Sequence, residues 1–516
     1  MTFLCVPIFV TDIEKAKRDI AAAAASGAEL IELRIDMLQT DANLASLLKS
    51  CPLPAIVTCR PTWEGGLSEL DDPARATCLA TGIRGGAKYA DVELKTSSAA
   101  KQIIENVRNN SENPLILSCH DFQGIPDDIC RIVDQMNMLA ADVNKIVWTA
   151  KNIRENLDAF RLLRKPKRPT VALCMGEAGL ISRVLAKKFG AFLTFASLDD
   201  SHATAPGQVA IADMKKLYGW ETIRPETKVF GVVAHPVRHS MSPAIHNAGF
   251  EQIGFDGVYL PMLVQPGYEN FKSFIEDFRG FEEMNLSGLS VTIPHKENAL
   301  RYLNEIGGDV EELARKIGAV NTITIDSAKI SGKNTDYAAI LDCITEALHI
   351  GRDQLSDLRV AILGAGGTAR AAVAALAHYG AGVILSNRTA ERAQSLAEEF
   401  TGRTGTVTQI SLEQLCRQKF DVLINTTSVG MFPNVDANPL EDCAIAFSQN
   451  MLVFDTIYNP VETKLLAQAR ARGAQTIGGV EMFVKQAAAQ FETWTHSDAP
   501  VAKMREVILE KIGKRA

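Results

Sequence analysis

LRVAILGAGGTARAAVAALA, residues 358–377, holds in one stretch an apolar strand-like run, a glycine-rich turn and a run of small helix formers. Strand, tight turn and helix in that order open a dinucleotide-binding α/β fold. Gly364 permits the turn, Gly366 lets a pyrophosphate approach the backbone, and Ala369 stands at the third fingerprint position, where helix packs closely on strand. A glycine-rich turn of this kind also occurs for packing alone, so the next strand matters. It ends in VILSNRT, 383–389. An acid there would bind a ribose hydroxyl and repel a 2′-phosphate, whereas Asn387 and Arg388 would bind the phosphate. The expected cofactor is therefore NADP; the alternative is that Arg388 is an ordinary exposed arginine.

Toward the N-terminus lie four polar blocks: HPVRHSMSPAIHN (235–247), LSVTIPHKE (289–297), GAVNTI (318–323) and GKNTDYAA (332–339). The hydroxyls of Ser240, Ser242 and Thr292 suit a carboxylate or ring hydroxyls, and Lys296, Asn321 and Asp336 suit a polyol in a small cleft. Duller readings stand beside these: Ser242, ahead of Pro243, as a helix N-cap, and Asn321 or Asp336 as turn residues. The weakly patterned segment LYGWETIRPETK (217–228) marks the main boundary. Before it, eight apolar or β-branched runs alternate with helical patterns, at 4–10, 30–36, 55–60, 89–94, 114–121, 144–150, 169–175 and 192–197. Such β/α repetition predicts a (β/α)8 TIM barrel, with its chemistry at the C-terminal strand ends.

Polar residues interrupt those runs late: Glu32 and Arg34, Arg60 with Glu64 beyond it, His120, and Arg183 after the seventh. Lys145 is flanked by apolar Ile146, Val147 and Trp148. Barrel strands converge on one face, so groups far apart in sequence would share a site there. A lysine desolvated at that face gives up its proton more readily, and the free amine forms a Schiff base with a ketone, an electron sink. His120 would move a proton near neutral pH, and Arg183 would hold a carboxylate. Taken singly, each has a structural reading: Lys145 reaching solvent, His120 with Asp121 in a turn, Arg34 with Glu32 as an ion pair.

A chain of 516 residues, 47% hydrophobic, exceeds one compact core and predicts two or three domains. A net charge of -7 and a pI near 5.8 give no electrostatic reason to expect nucleic acid or an anionic membrane; small molecules are the expected partners. The ten cysteines form no C-x-x-C pair, and Cys59, Cys119 and Cys174 fall in apolar runs, so reduced and mostly buried thiols are expected. The start MTFLCVPIFVTD carries neither a basic secretory leader nor an Arg/Ser-rich transit stretch. No apolar run reaches the roughly 18 residues of a membrane span. The expected location is the cytoplasm, or the plastid stroma if a transit peptide has been removed.

ELRID (32–36), TCRPTWEGG (58–66), SCHDFQGIP (118–126), DVNKIVWTA (142–150), MGEAGLISR (175–183) and APGQ (205–208) resemble, in that order, type I 3-dehydroquinate dehydratases. The resemblance implies Lys145 as the Schiff-base lysine, His120 as general acid/base and Glu64 as the group that orients it. It further implies Glu32, Arg34, Arg60, Arg183, Thr204 and Gln208 as substrate contacts, Thr204 standing where familiar members carry serine, and no metal. The four blocks of the second unit, with NTTSVGM (425–431), FDTIYNP (454–460) and IGGVEMFVKQAAAQFETW (477–494), resemble shikimate dehydrogenases. That resemblance implies Lys296 and Asp336 as the catalytic pair, with Ser240, Ser242, Thr292, Asn321, Tyr458 and Gln486 on the substrate. NADP contacts are expected from Gly364, Ala365, Gly366, Gly367, Asn387, Arg388, Thr389, Thr427 and Gly479. Tyr337 follows Asp336 where single-function bacterial members usually have glycine, and Ala339 replaces a usual glycine two residues on. The tyrosine form and the order of the two parts are similar to the plant and chlamydial fusions.

The expected architecture is α/β throughout. A TIM barrel spans 1–218, a substrate-binding domain spans 227–335 and is completed by C-terminal helices over 480–516, and a Rossmann domain spans 336–479. The resemblance implies dehydration of 3-dehydroquinate to 3-dehydroshikimate, then reduction to shikimate with NADPH, in aromatic amino acid biosynthesis. Two rivals are a class I aldolase barrel fused to a quinate or other hydroxy-acid dehydrogenase, and a dead metabolite sensor. His120, Arg183 and APGQ together argue against the first; Lys145, His120, Lys296 and Asp336 together argue against the second.

Overall fold

A computed structural model describes residues 2–38, 44–108, 113–202, 204–238, 240–326, 329–401, 405–441, 443 and 445–513. Of the expected domain limits, residue 1 and residues 514–516 lie outside the described residues. The chain divides into two compact units, one of Met1–Phe230, Ala234–His239 and Asp256–Leu286, the other of Gly231–Val233, Ser240–Phe255 and Ser287–Ala516. No helix among the described residues is long and apolar enough to cross a membrane.

The eight runs form strands β1 (Phe3–Phe9), β2 (Leu30–Arg34), β3 (Ala55–Thr58), β4 (Tyr89–Glu93), β5 (Leu115–Asp121), β6 (Val143–Thr149), β7 (Thr170–Met175) and β8 (Leu193–Phe195). Their order is β7-β6-β5-β4-β3-β2-β1-β8, with neighbouring strands parallel. The Phe192 N–H donates to the Thr170 carbonyl at 2.8 Å, drawing the two edge strands together. Helices cover the outside, so most strand residues are buried on both faces, which is why the runs read as continuous apolar stretches. Cys5, Leu30, Ile56, Val143, Val171 and Leu193 pack within one buried cluster and leave the polar residues for the C-terminal end.

Strands β9 (Lys228–Ala234), β10 (Gly257–Leu263), β11 (Leu286–Val291), β12 (Asp309–Val310), β13 (Thr322–Ile325) and β14 (Ile330–Lys333) make a mixed sheet in the order β10-β9-β11-β13-β14-β12. Strands β15 (Arg359–Leu363), β16 (Gly382–Ser386), β17 (Val407–Gln409), β18 (Val422–Asn425), β19 (Leu452–Asp455) and β20 (Gln475–Ile477) make a parallel sheet ordered β17-β16-β15-β18-β19-β20. This is the doubly wound order 3-2-1-4-5-6, whose reversal between β15 and β18 forms a ligand crevice at the strand ends. The helix Gly367–His378 presents a string of buried alanines to this sheet's core, the close approach that small residues allow.

Two readings of the sequence need correction. Cys416 and Cys443 form a disulfide with a Cα separation of 5.8 Å, so not all ten cysteines are free. Of the rest, Cys5, Cys59, Cys119, Cys174 and Cys343 are buried, Cys51 and Cys78 are half-buried, and Cys130 is exposed. A pair 27 residues apart, brought together by tertiary folding, leaves no local spacing signal. Ser242 is not an N-cap: it is the first residue of the helix Ser242–Ile253, Met241 holds the cap position, and the Ser242 N–H donates to Ser240 Oγ at 3.3 Å. Ala339 lies buried inside the helix Thr335–Leu348, where alanine needs no special backbone conformation.

Candidate active sites

All the barrel residues singled out above border one cavity of about 370 Å³. Glu32 and Arg34 come from β2, Arg60 and Glu64 from just after β3, His120 from β5 and Lys145 from β6. Arg183 comes from the helix Leu180–Val184, and Thr204 and Gln208 from the loop after β8. That loop is seated by Gly207, at φ +76°, where a Cβ would stand 2.2 Å from the Gly176 carbonyl oxygen. Within the loop, Gln208 Oε1 accepts the Thr204 N–H at 2.7 Å.

Lys145 is buried, its Nζ 2.9 Å from Asp91 Oδ2 and 3.2 Å from Glu32 Oε1, and 4.6 Å from the Phe195 ring centroid. Reading the lysine from desolvation alone omits these two carboxylates. Asp91 Oδ1 accepts from Ser118 Oγ at 2.6 Å and lies 2.9 Å from Arg60 Nη2. Arg60 Nη1 also donates to Glu93 at 2.8 Å and to Ser118 Oγ at 2.7 Å, and Glu93 takes a further bond from Arg75 at 2.6 Å. Burial alone would raise the Asp91 carboxyl, but Arg60 and then Lys145 outweigh it and hold it well below the usual carboxylate range. Arg34 is tied not to Glu32 but to Asp36, through bonds of 3.1 and 2.5 Å.

Glu64 Oε1 accepts the His120 backbone N–H at 2.5 Å and lies 3.2 Å from His120 Nδ1, while Oε2 has no partner. Burial pushes the Glu64 carboxyl up from 4.5 to about 7. Burial, then the Arg60 and Lys145 cations, hold the His120 imidazole well below its ordinary 6.5, so it is neutral near pH 7 and able to accept a proton. With Nδ1–H aimed at an ionised Glu64, Nε2 is the accepting nitrogen. Arg183 is buried, its Nε has no partner, and no carboxylate faces it among the described residues; burial lowers it from 12.5 to about 10. An unpaired guanidinium bordering a cavity suits an incoming anion.

In the second unit Lys296 Nζ meets Asp336 Oδ2 at 2.6 Å. Asn334 caps the helix that carries Asp336, its Oδ1 accepting the N–H groups of Asp336 at 3.1 Å and Tyr337 at 3.4 Å. Glu311 braces the same turn, taking the Tyr337 hydroxyl at 2.5 Å and the Asn334 N–H at 3.2 Å. Asn321 is buried and bonds Thr335, next to Asp336, at 2.8 and 3.1 Å. Thr292 lies just beyond β11, its carbonyl taking the His295 N–H at 2.8 Å. Tyr458 packs its ring 5.1 Å from Phe483, and Gln486, on the helix Gly479–Thr495, bonds the Phe483 carbonyl at 3.0 Å.

At the nucleotide turn Gly364 adopts φ +111°, and a Cβ there would meet Thr426 Oγ1 at 2.6 Å. Nothing lies within 4 Å of a Cβ built on Gly366 or Gly367, so the helix N-terminus is open to an approaching group, with Ala365 preceding the two glycines. Asn387 is half-buried, and Arg388 and Thr389 are exposed just beyond β16. Thr427 bonds Asn425 Oδ1 through its N–H at 3.0 Å and its hydroxyl at 2.7 Å. Gly479 has a packing reason of its own: a Cβ would stand 2.4 Å from the Ile457 carbonyl carbon. Among the described residues no group of three or more His, Cys, Asp or Glu is arranged to hold a metal ion.

Sequence reasoning missed Asp91, Glu93, Ser118, Arg75 and Asp36. A signal existed for the first two: acids at i and i+2 inside the strand-like YADVEL share one face.

The family profile for type I 3-dehydroquinase matches residues 4–225. Those for the shikimate dehydrogenase substrate binding domain, shikimate/quinate 5-dehydrogenase and the shikimate 5'-dehydrogenase C-terminal domain match 232–323, 346–471 and 479–509. The chain is 38% identical to the Arabidopsis thaliana bifunctional 3-dehydroquinate dehydratase/shikimate dehydrogenase, chloroplastic, over 97% of this chain and 83% of that one. The chain belongs to the bifunctional 3-dehydroquinate dehydratase/shikimate dehydrogenase family. The dehydrogenase half of this family member is 39% identical to a Methanopyrus kandleri shikimate dehydrogenase (NADP(+)), over 56% of this chain and 98% of the relative. A solved shikimate dehydrogenase in complex with NADP+ superposes at a TM-score of 0.50, with 36% identity, 56% of this chain and 97% of that chain covered.

Proposed function

We propose that the barrel dehydrates 3-dehydroquinate to 3-dehydroshikimate through an imine on Lys145, and that the second unit reduces 3-dehydroshikimate to shikimate. The observation that supports it most strongly is the convergence, on one cavity, of a buried lysine, a neutral histidine with its carboxylate and an unpaired arginine. Lys145 condenses with the ketone and releases water, which acidifies the neighbouring C–H. His120 takes that proton, the β-hydroxyl departs with a proton returned by the imidazolium and leaves as water, and hydrolysis of the imine then frees the unsaturated ketone and regenerates Lys145. Glu64 holds the imidazole, Arg183 binds the carboxylate, and Glu32, Arg34, Arg60, Thr204 and Gln208 contact the hydroxyls and carboxylate.

In the second unit Lys296 and Asp336 manage the proton at the carbonyl oxygen, and Ser240, Ser242, Thr292, Asn321, Tyr458 and Gln486 hold the substrate. NADPH, when bound, supplies the hydride. The open N-terminus at Gly366 and Gly367 fits a pyrophosphate, and Arg388, in place of an acid, fits a 2′-phosphate. Ala365, Asn387, Thr389 and Thr427 complete the cofactor contacts, with Gly479 nearby. The domain limits that accompany this reading are 1–218, 227–335 with 480–516, and 336–479, and the setting is the cytoplasm or plastid stroma. Borohydride added with 3-dehydroquinate should add ligand mass to the peptide holding Lys145; an active enzyme that yields no adduct there contradicts the imine.

A further inference from the structure

We infer that Asp91 is a catalytic residue of the dehydratase: the fixed counter-ion of the Lys145 nitrogen, which keeps the imine protonated. The inference rests on the imine reading above. When the Lys145 ammonium and a ketone become an iminium and water, the positive charge stays on Nζ. A protonated imine is a strong electron sink and a neutral one a weak one, so something must hold that proton on nitrogen while the α-proton leaves.

Two carboxylates touch Nζ, and they differ in placement. Glu32 borders the cavity, takes the Thr58 hydroxyl at 2.9 Å, and faces whatever hydroxyls the substrate presents. Asp91 is fully buried, does not line the cavity, and lies 2.9 Å from Nζ. Substrate can compete for Glu32 but not for Asp91. Ser118 on β5 is in register with Lys145 on β6 and with Glu93 on β4, two residues along from Asp91 on the same strand, and its hydroxyl donates to Asp91 Oδ1 at 2.6 Å.

The surroundings keep Asp91 an anion. Arg60 and Ser118 grip Oδ1, and Arg60 is itself shared with Glu93, which Arg75 neutralises from the far side. Asp91 therefore offers charge, not a proton, and leaves proton transfer to His120 and Glu64. Around the cavity Arg183 is unpaired, and without the Asp91 charge the Arg60 guanidinium would keep only Glu93, which it shares with Arg75. An iminium without Asp91 would form against that field and lose its proton to become the weak sink.

The test is Asp91→Asn in the full chain, an isosteric change that removes the charge. Dehydratase kcat should fall by roughly tenfold to a hundredfold, as for loss of one preorganised electrostatic contact. KM should stay within about threefold, because Asp91 does not face the substrate, and the fraction of enzyme trapped by borohydride at steady state should fall with kcat. Dehydrogenase turnover with 3-dehydroshikimate serves as the folding control and should not change. Ser118→Ala, which removes one hydroxyl from Asp91 and keeps its charge, should show a smaller loss of the same kind. A kcat within about threefold of wild type, or a loss in which KM rises as kcat falls and the trapped fraction holds, overturns the counter-ion role. Should Asp91→Asn not accumulate as folded protein, an unaltered kcat in Ser118→Ala overturns it. Absence of trapping in the wild type would instead remove the imine itself.

Discussion

Arg183 should cost the ligand-free barrel stability that the substrate returns. The guanidinium is fully buried with Nε unpartnered, and burial brings it from 12.5 to about 10. At about 1.4 kcal/mol per tenfold change, that displacement corresponds to roughly 3 kcal/mol by which the folded protein disfavours the charged side chain near neutral pH. Methionine matches much of the side chain's length without the charge, so Arg183→Met should stabilise the ligand-free barrel by up to about 3 kcal/mol. The same change removes the group placed to meet the substrate carboxylate, so dehydratase KM should rise on the order of a hundredfold, as for a lost buried charged contact. Urea denaturation of the full chain, with and without ligand, together with dehydratase kinetics, reads both effects. Wild type gains stability on adding ligand and the variant does not. A variant that unfolds at lower urea than wild type without ligand, or one with an unaltered KM, refutes the assignment of Arg183 as an unpaired anion site.

The Glu64 carboxyl, raised from 4.5 to about 7, makes two further pH claims. Between those values the folded protein holds a proton that the unfolded chain has released, so stability falls as pH rises through this window, by roughly 3 kcal/mol in total; Glu64→Gln should flatten that slope. Dehydratase activity should rise with pH through about 7 as the carboxylate forms to accept His120 Nδ1–H, and the limb should vanish in Glu64→Gln, as a pH–rate profile would show. Arg388→Ala should weaken NADPH binding by about 1.5–3 kcal/mol and leave NADH nearly unaltered; titrations of cofactor fluorescence distinguish this from equal loss for both, which would make the arginine structural.

Much of the architecture was legible because each barrel strand is an apolar run of its own length, bounded by a helical pattern. The strand limits of β4, β5 and β7 fall within one or two residues of the runs 89–94, 114–121 and 169–175. The residues around the barrel cavity were legible for a related reason: a charged side chain inside such a run has few places to go except the C-terminal rim. Partnerships were not legible. Arg34 finds Asp36, two residues on, because Asp36 also collects the N–H groups of Arg60 and Leu67 at 3.1 and 3.2 Å. Asp91 and Glu93 passed as ordinary strand residues because their counter-charges come from the segment after β3, from β6 and from a helix. The Cys416–Cys443 pair depends on where an irregular segment returns, which no periodicity encodes. Ser242 was misplaced by one capping position, since Ser-x-Ser-Pro allows either serine hydroxyl to meet the helix start.

One chain should carry two consecutive reactions at two separate sites. The most direct measurement supplies 3-dehydroquinate and NADPH to the full chain and follows cofactor oxidation alongside the product. Wild type should oxidise NADPH and accumulate shikimate. Lys145→Ala should lose that signal with 3-dehydroquinate and keep it with 3-dehydroshikimate, while Lys296→Ala should build up 3-dehydroshikimate with little NADPH oxidised. NADPH oxidation from 3-dehydroquinate that survives Lys145→Ala, or a wild type that makes no shikimate, would contradict it.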